Sequence, residues 1–196
     1  LILNNLEFDH ADIYSDLDAI KKQMHHVVRI VPDNGVIIAP DKNCDKYGAN
    51  ISDVLNMGVW SNIKYFRVNN LNNNLNNNLK NSSKNNWYIK AVTQDCSEFE
   101  IFNNNIKIAS GKWSMQGEYN LHNALAAVIA VCSLDVNITA QKAVDSLAKF
   151  TGVKRRCECI FDGKYKNSNL KIYDDFAHHP TAIRETLTGF RNKYDN

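Results

Sequence analysis

The sequence predicts an α/β fold: a mostly parallel sheet with flanking helices, extended by a small antiparallel meander. Three stretches carry this expectation. The first 40 residues read as strand, helix, turn and strand, the order of a parallel βαβ unit. Residues 87–110 alternate apolar and polar side chains with period two, as a half-buried meander does. Residues 118–132 form an Ala-rich run with apolar residues on most sides, as in a helix buried between other elements.

In chain order, Leu1–Leu6 is a short apolar run expected to form a buried strand that stops in a polar loop at Glu7–His10. Leu17, Ile20, Met24, Val27 and Val28 fall at helical spacing, with Asp12 or Ser15 as the N-cap. Pro32-Asp-Asn-Gly35 has the residues of a turn, and Val36–Ala39 is a second buried strand. Ile51–Met57, closed by Gly58, is a short helix, and Lys64–Val68 another strand. Then Trp87–Thr93, Glu98–Phe102 and Ile106–Ser110 form the meander, with Asn103–Asn105 turning between the last two. The buried helix begins after Gly117. Thr139 caps a further helix to Phe150, which Gly152 ends at the C′ position. Arg155–Phe161 and Leu170–Tyr173 read as strands around a turn at Asp162-Gly163. A last helix starts at Thr181, with Pro180 in its first position, where a missing N–H costs nothing.

Composition is that of an ordinary globular chain: 44% hydrophobic, 22% charged and a net charge of +2. Such a balance carries no electrostatic footprint for nucleic acid or an anionic membrane, and no apolar run is long enough to span a bilayer. Gly is scarce, at 8 residues, while Asn is abundant, at 28, with 11 of them among the 18 residues from Asn69 to Asn86. Asn competes for the backbone and forms helices poorly, so 69–86 is expected to be a loosely ordered loop whose removal (70–86) changes stability little. The five cysteines (Cys44, Cys96, Cys132, Cys157 and Cys159) show no C-x-x-C spacing and are expected to be buried thiols, with 157 and 159 on one strand face. Their number and the lack of a visible leader point to a reducing, cytoplasmic setting. Two helices close one unit near residue 153; the 43 residues after it are too few for a core of their own and look like the start of a larger domain.

Several residues could carry chemistry. Glu7, Asp9 and His10 follow a strand end, where open α/β sheets place ligands; they suit a divalent ion or simply solvent. Asn120 and Asn123 share a helical face and suit either helix capping or the amide-like edge of adenine. Arg155 and Arg156, if in a strand, point to opposite faces, so at most one serves a given phosphate site. Asp174-Asp175 and His178-His179 face the amino end of the last helix, where anions bind and a carboxylate can take ribose hydroxyls. His25-His26 read as surface or packing residues, and His122 receives no role.

Four of these segments, Asn4–Asp12, Gly117–Ala124, Arg155–Glu158 and Asp174–Ala182, occur in the order seen in Mur ligases, the ATP-dependent amide ligases of peptidoglycan assembly, which this sequence resembles outside the Asn tract. The resemblance implies that residues 1–153 are part of a central ATP-binding domain and that 154–196 begin a Rossmann-like C-terminal domain. It implies ATP and Mg²⁺ as cofactors, with His10 at the magnesium ion and the acyl phosphate, and Asn120 and Asn123 at the adenine. Tyr119 stands where the family usually has His. Arg156 falls at the ATP phosphates, Asp175 at the ribose, and His178 beside it at nucleotide or substrate; Glu7 remains a supporting group. The opening stretch through Pro32 is more like the branch that joins UDP-N-acetylmuramate to the murein tripeptide L-alanyl-γ-D-glutamyl-meso-diaminopimelate than like the L-alanine-adding branch. The alternatives are that L-alanine-adding activity and a non-catalytic nucleotide-binding remnant. The family's G-x-x-G-K-[ST] phosphate loop does not occur in this sequence, so the resemblance implies an internal stretch of a longer ligase, inactive by itself.

Overall fold

The computed structural model describes residues 1–42, 47–69, 87–134 and 137–194. Its elements are α1 (Leu17–Arg29), β1 (Val36–Pro40), α2 (Gly48–Asn56), β2 (Asn62–Asn69), β3 (Trp87–Ala91), β4 (Glu98–Asn103), β5 (Ile106–Lys112), α3 (Glu118–Ser133), α4 (Ala140–Leu147), β6 (Glu158–Tyr165), β7 (Ser168–Asp174) and α5 (Pro180–Tyr194). The first five strands form one sheet in sequence order, parallel from β1 to β3 and antiparallel from β3 to β5. The meander is therefore a continuation of the parallel sheet. Leu1–Leu6 lies along the outer edge of β1 but pairs only through Ile2 opposite Ile38, so the expected first strand is reduced to a single parallel bridge.

Alternation along β1 explains why its sequence is continuously apolar. Ile37 and Ala39 point to one face, where Leu3, Val28, Ile51 and Val54 pack beneath α1 and α2. Ile38 points to the other, where Leu121, Leu125 and Ile129 of α3 form the larger core with Phe66, Ile89 and Ile101. A strand covered on both faces needs no polar side. The exposed edge at β5 is managed by α4, whose Gln141 side chain accepts from the Ser110 N–H and donates to the Ser110 carbonyl, both at 3.0 Å.

Several local expectations shift. Asp16, rather than Asp12 or Ser15, caps α1, its carboxylate accepting from the Ala19 N–H at 2.8 Å. Thr139 caps α4 as expected, but that helix closes at Leu147, and Gly152 lies beyond a further turn with φ +99°. Asp162-Gly163 is not a turn: both residues sit within β6, paired with Lys171 and Leu170, and the hairpin turns at Lys166-Asn167. Lys166 adopts φ +54°, which the two-residue connection demands and which Asp-Gly was expected to supply. Asn104 and Asn105, with φ +49° and +66°, make the equivalent turn between β4 and β5. Arg155 and Cys157 also have positive φ, so 155–157 is a bend before β6; Cys157 and Cys159 do not share a strand face, and Cys159 is exposed. The loop reading of the Asn tract lies outside the described residues beyond Asn69, the last residue of β2.

The buried-thiol expectation holds for Cys96, 5% exposed, whose carbonyl accepts the Trp113 indole N–H at 3.0 Å. Burial pushes this thiol up to about 12 from 9.0. The folded state thus retains a proton that the unfolded chain releases. Stability from this group is fully present below about pH 9 and is lost as pH rises toward 12. The unfolding free energy from denaturant melts should therefore fall between pH 9 and 11, by on the order of a few kcal/mol at the upper end. A Cys96→Ala variant should show a flatter decline over the same range; an unchanged slope would remove Cys96 as the cause.

Candidate functional site

A cleft of about 740 Å³ opens between the carboxyl-end loops of the sheet, α3 and the amino end of α5. Its polar lining comes from four separate stretches: Asn5, Glu7 and Asp9 at the end of the edge segment, Asn120 and Asn123 on α3, Arg156 in the bend before β6, and Asp175 to Thr186 around the start of α5, while Trp113, Met115, Leu147, Phe150 and Val153 add an apolar side. Tyr47, just before α2, closes one side. Its neighbour Gly48 packs so tightly on the preceding loop that a Cβ would lie 2.5 Å from the Lys42 backbone, which fixes the approach of α2 to this wall.

Asn120 is buried, and its amide donates to the Gln116 carbonyl at 2.7 Å, fixing the side chain at the first turn of α3. Asn123, one turn on, is exposed and accepts from the Asn4 amide at 2.7 Å. The two asparagines share a face as their spacing requires. Tyr119 lines the same wall, and burial, with Cys157 and Asp175 nearby, pushes its phenol up to about 12. It is therefore a neutral hydrogen-bonding group at neutral pH.

Arg155 and Arg156 flank one ring, with guanidinium carbons 5.2 and 5.5 Å from the centre of Phe176. Only Arg156 lines the cleft. One arginine of the pair therefore reaches the cleft, and the cause is the bend at 155–157 and not strand alternation. Arg155 turns outward toward Asp174, 3.6 Å away. Asp175 is half-buried and already engaged, accepting from the Ala177 N–H at 3.1 Å and from the Thr186 hydroxyl at 2.8 Å. Its carboxylate is held facing the cleft by α5.

His10 and His178 do not line this cleft. His10 is exposed in a left-handed turn (φ +56°) whose carbonyl accepts the N–H groups of Ile13 and Tyr14. Its own N–H donates to Asp9 at 2.7 Å, the main reason the Asp9 carboxyl lies below its usual range. His178 folds back on its own loop, 3.0 Å from the Phe176 carbonyl and edge-on to that ring. Its neighbour His179 does line the cleft, as does Glu7. Among the described residues no group of three His, Cys, Asp or Glu side chains could hold a metal ion.

Of the remaining histidines, His25 packs with Nε2 2.9 Å from the Gly58 carbonyl, and His122 is buried between the rings of Tyr47 and Phe66. The sequence reading missed Asn4, Tyr47, Thr181 and Thr186. Thr181 had a local signal in the His-His-Pro-Thr run and Thr186 bonds to nearby Asp175; Asn4 and Tyr47 meet α3 only through contacts distant in sequence.

Comparison with known proteins places these features in a family. A model of the Mur ligase middle domain matches residues 1–131. The UDP-N-acetylmuramate–L-alanyl-γ-D-glutamyl-meso-2,6-diaminoheptandioate ligase of Escherichia coli strain K12 is 39% identical over 193 residues, covering 98% of this chain and 36% of that protein. The UDP-N-acetylmuramate–L-alanine ligase of Clostridium perfringens is 30% identical over 188 residues, 95% of this chain and 36% of that one. The crystal structure of a murein peptide ligase from Psychrobacter arcticus superposes with a TM-score of 0.65 at 38% identity, covering 98% of this chain and 34% of that chain. The chain thus spans little more than a third of the length of these relatives. With its mixed five-stranded sheet and flanking helices, it belongs to the Mur ligase family, and its residues 1–131 match that family's middle domain.

Proposed function

We propose that this chain is part of a cytoplasmic ATP-dependent amide ligase that joins UDP-N-acetylmuramate to the tripeptide L-alanyl-γ-D-glutamyl-meso-diaminopimelate in peptidoglycan recycling. In this reading residues 1–153 belong to the central ATP-binding domain and 154–196 begin the C-terminal domain. The observation that carries it is the convergence of Asn120, Asn123, Arg156 and Asp175 on one cleft of nucleotide size. The 39% and 35% identity to two tripeptide ligases, against 28–30% for the L-alanine ligases, favours the tripeptide as the amine substrate.

The muramate carboxylate would attack the γ-phosphorus of ATP to give an acyl phosphate and ADP. The tripeptide amine would then attack the acyl carbon, forming the amide and releasing phosphate. Most of the protein's task is orientation and charge neutralisation. Asn120 and Asn123 would hold the adenine, Asp175 the ribose hydroxyls, and the Arg156 guanidinium two phosphate oxygens. His178 would approach the nucleotide or substrate only if its loop turned. Bound Mg²⁺ would supply charge neutralisation at the phosphates. His10 is the side chain nearest in kind to a ligand for it, but the described residues complete no metal site around His10, so the chain's own geometry supports one contact at most.

In the ligase that contains this chain, phosphate release from ATP should require UDP-N-acetylmuramate and the tripeptide together. Preferential use of L-alanine would assign the protein to the L-alanine-adding branch instead, and nucleotide binding without turnover would favour the non-catalytic reading. The 196-residue chain alone, whose sequence holds no Gly-rich phosphate loop, should release no phosphate above background in the same assay.

A further inference from the structure

The short stretch from Asn4 to Phe8 makes hydrogen bonds to α3, to α2 and to the start of α5. The Asn4 amide donates to Asn123 on α3 at 2.7 Å, and Asn50 of α2 donates to the Leu6 carbonyl at 2.9 Å. Glu7 accepts from the Thr181 hydroxyl at 2.7 Å, and His179 Nε2 lies 3.2 Å from the Phe8 carbonyl. Two of these contacts join residues more than 170 positions apart. His179 Nδ1 takes the Thr181 N–H at 3.4 Å and stands 3.8 Å from the Glu7 carboxylate. With Nδ1 accepting, Nε2 carries the proton and donates to Phe8.

We propose that Glu7, Thr181 and His179 form a clasp that holds the Asn4–His10 stretch against the start of α5 and so sets the width of the cleft. Glu7 is then a positioning residue. Its carboxylate is one-third exposed at the mouth of the cleft, yet one oxygen is committed to Thr181. The same stretch fixes Asn123 at one end and leads directly into His10 at the other. Asp175 lies on the opposite side of the clasp, held by Thr186 on the same helix that Thr181 begins. Breaking the Glu7–Thr181 bond would leave both walls intact but free to separate. The consequence for nucleotide binding rests on the function proposed above; the clasp itself does not.

Amide hydrogen exchange on the 196-residue chain reads the clasp directly. Thr181→Val removes only the hydroxyl and should raise exchange about tenfold in residues 176–182 and 5–10 alike, the effect of one lost hydrogen bond. Glu7→Ala should do the same, the double variant should be no worse than either, and Thr181→Ser should restore protection. Titration of the ligase that contains this chain with ATP, followed in the nucleotide signals by NMR, should show about tenfold weaker binding for Thr181→Val and recovery for Thr181→Ser. Unchanged exchange in either single variant, or effects that multiply in the double, would overturn the clasp. Faster exchange with unaltered ATP affinity would overturn its positioning role. Failure of the wild-type ligase that contains this chain to bind ATP would overturn the nucleotide reading of the cleft and that role with it, while exchange still reported on the clasp.

Discussion

Deleting residues 70–86 is expected to abolish the native sheet, because β2 and β3 are parallel neighbours. Phe66 pairs with Trp87 and Asn69 with Lys90, so the chain leaves β2 at the end of the sheet where β3 finishes. To start β3 it must return the length of the strand, and parallel pairs need a connection of about a dozen residues or more. Joining Asn69 to Trp87 directly would force β2 and β3 apart or into an antiparallel hairpin. Either change buries the wrong faces of Phe66, Val68, Trp87 and Ile89, four members of the main core. The expectation that this tract is dispensable fails on that pairing. A 17-residue Gly/Ser segment in its place should retain cooperative unfolding, at a cost of no more than about 1–2 kcal/mol, since the requirement is reach and not sequence. Circular dichroism and urea melts of the two variants distinguish the cases. A deletion variant that melts like the parent would refute the parallel pairing.

Arg156→Ala in the ligase that contains this chain should lower kcat/KM for ATP about 10²–10³-fold, the usual effect of removing one preorganised charge from a site where phosphate charge develops. Arg155→Ala should cost less than about threefold. Its ion pair with Asp174 is long and exposed, worth under about 1 kcal/mol, and its guanidinium faces away from the cleft. Arg156→Lys should recover part of the loss, since an ammonium restores charge without the two-pronged geometry. The adjacent pair is an internal control, for both arginines stack on Phe176 and would disturb that ring alike. Equal losses in the two alanine variants would make the effect one of Phe176 packing and would strip Arg156 of its phosphate role.

Local sequence signals marked most of the elements, the edge segment Leu1–Leu6 and the β6–β7 turn excepted. Apolar spacing located α1, caps, Gly and Pro signals and an Ala-rich run located the other helices, and the unbroken apolar run of β1 marked a buried strand. The motif order around Asn120, Arg156 and Asp175 pointed to three of the residues that meet in the cleft. It did so because each motif sits at an element boundary, where local chemistry and backbone geometry are read together. What the sequence misplaced were positions where several residues satisfy the same local rule. Asp12, Ser15 and Asp16 are all plausible caps, and only the packing of α1 chose among them. Asp-Gly and Lys-Asn can both turn a hairpin, and the register of β6 on β7 selected the poorer local former.

Tertiary structure alone decided the rest. The parallel relation of β2 to β3 depends on pairing across 17 intervening residues, which no window of sequence contains. The site's supporting contacts, Glu7 to Thr181, Asn4 to Asn123 and Phe8 to His179, join residues 119 to 174 positions apart. The choice of His179 over His178 and His10 as the histidine in the cleft follows from the direction in which the loop before α5 leaves β7. A side chain's type is local, but its neighbours are set by how the chain returns on itself.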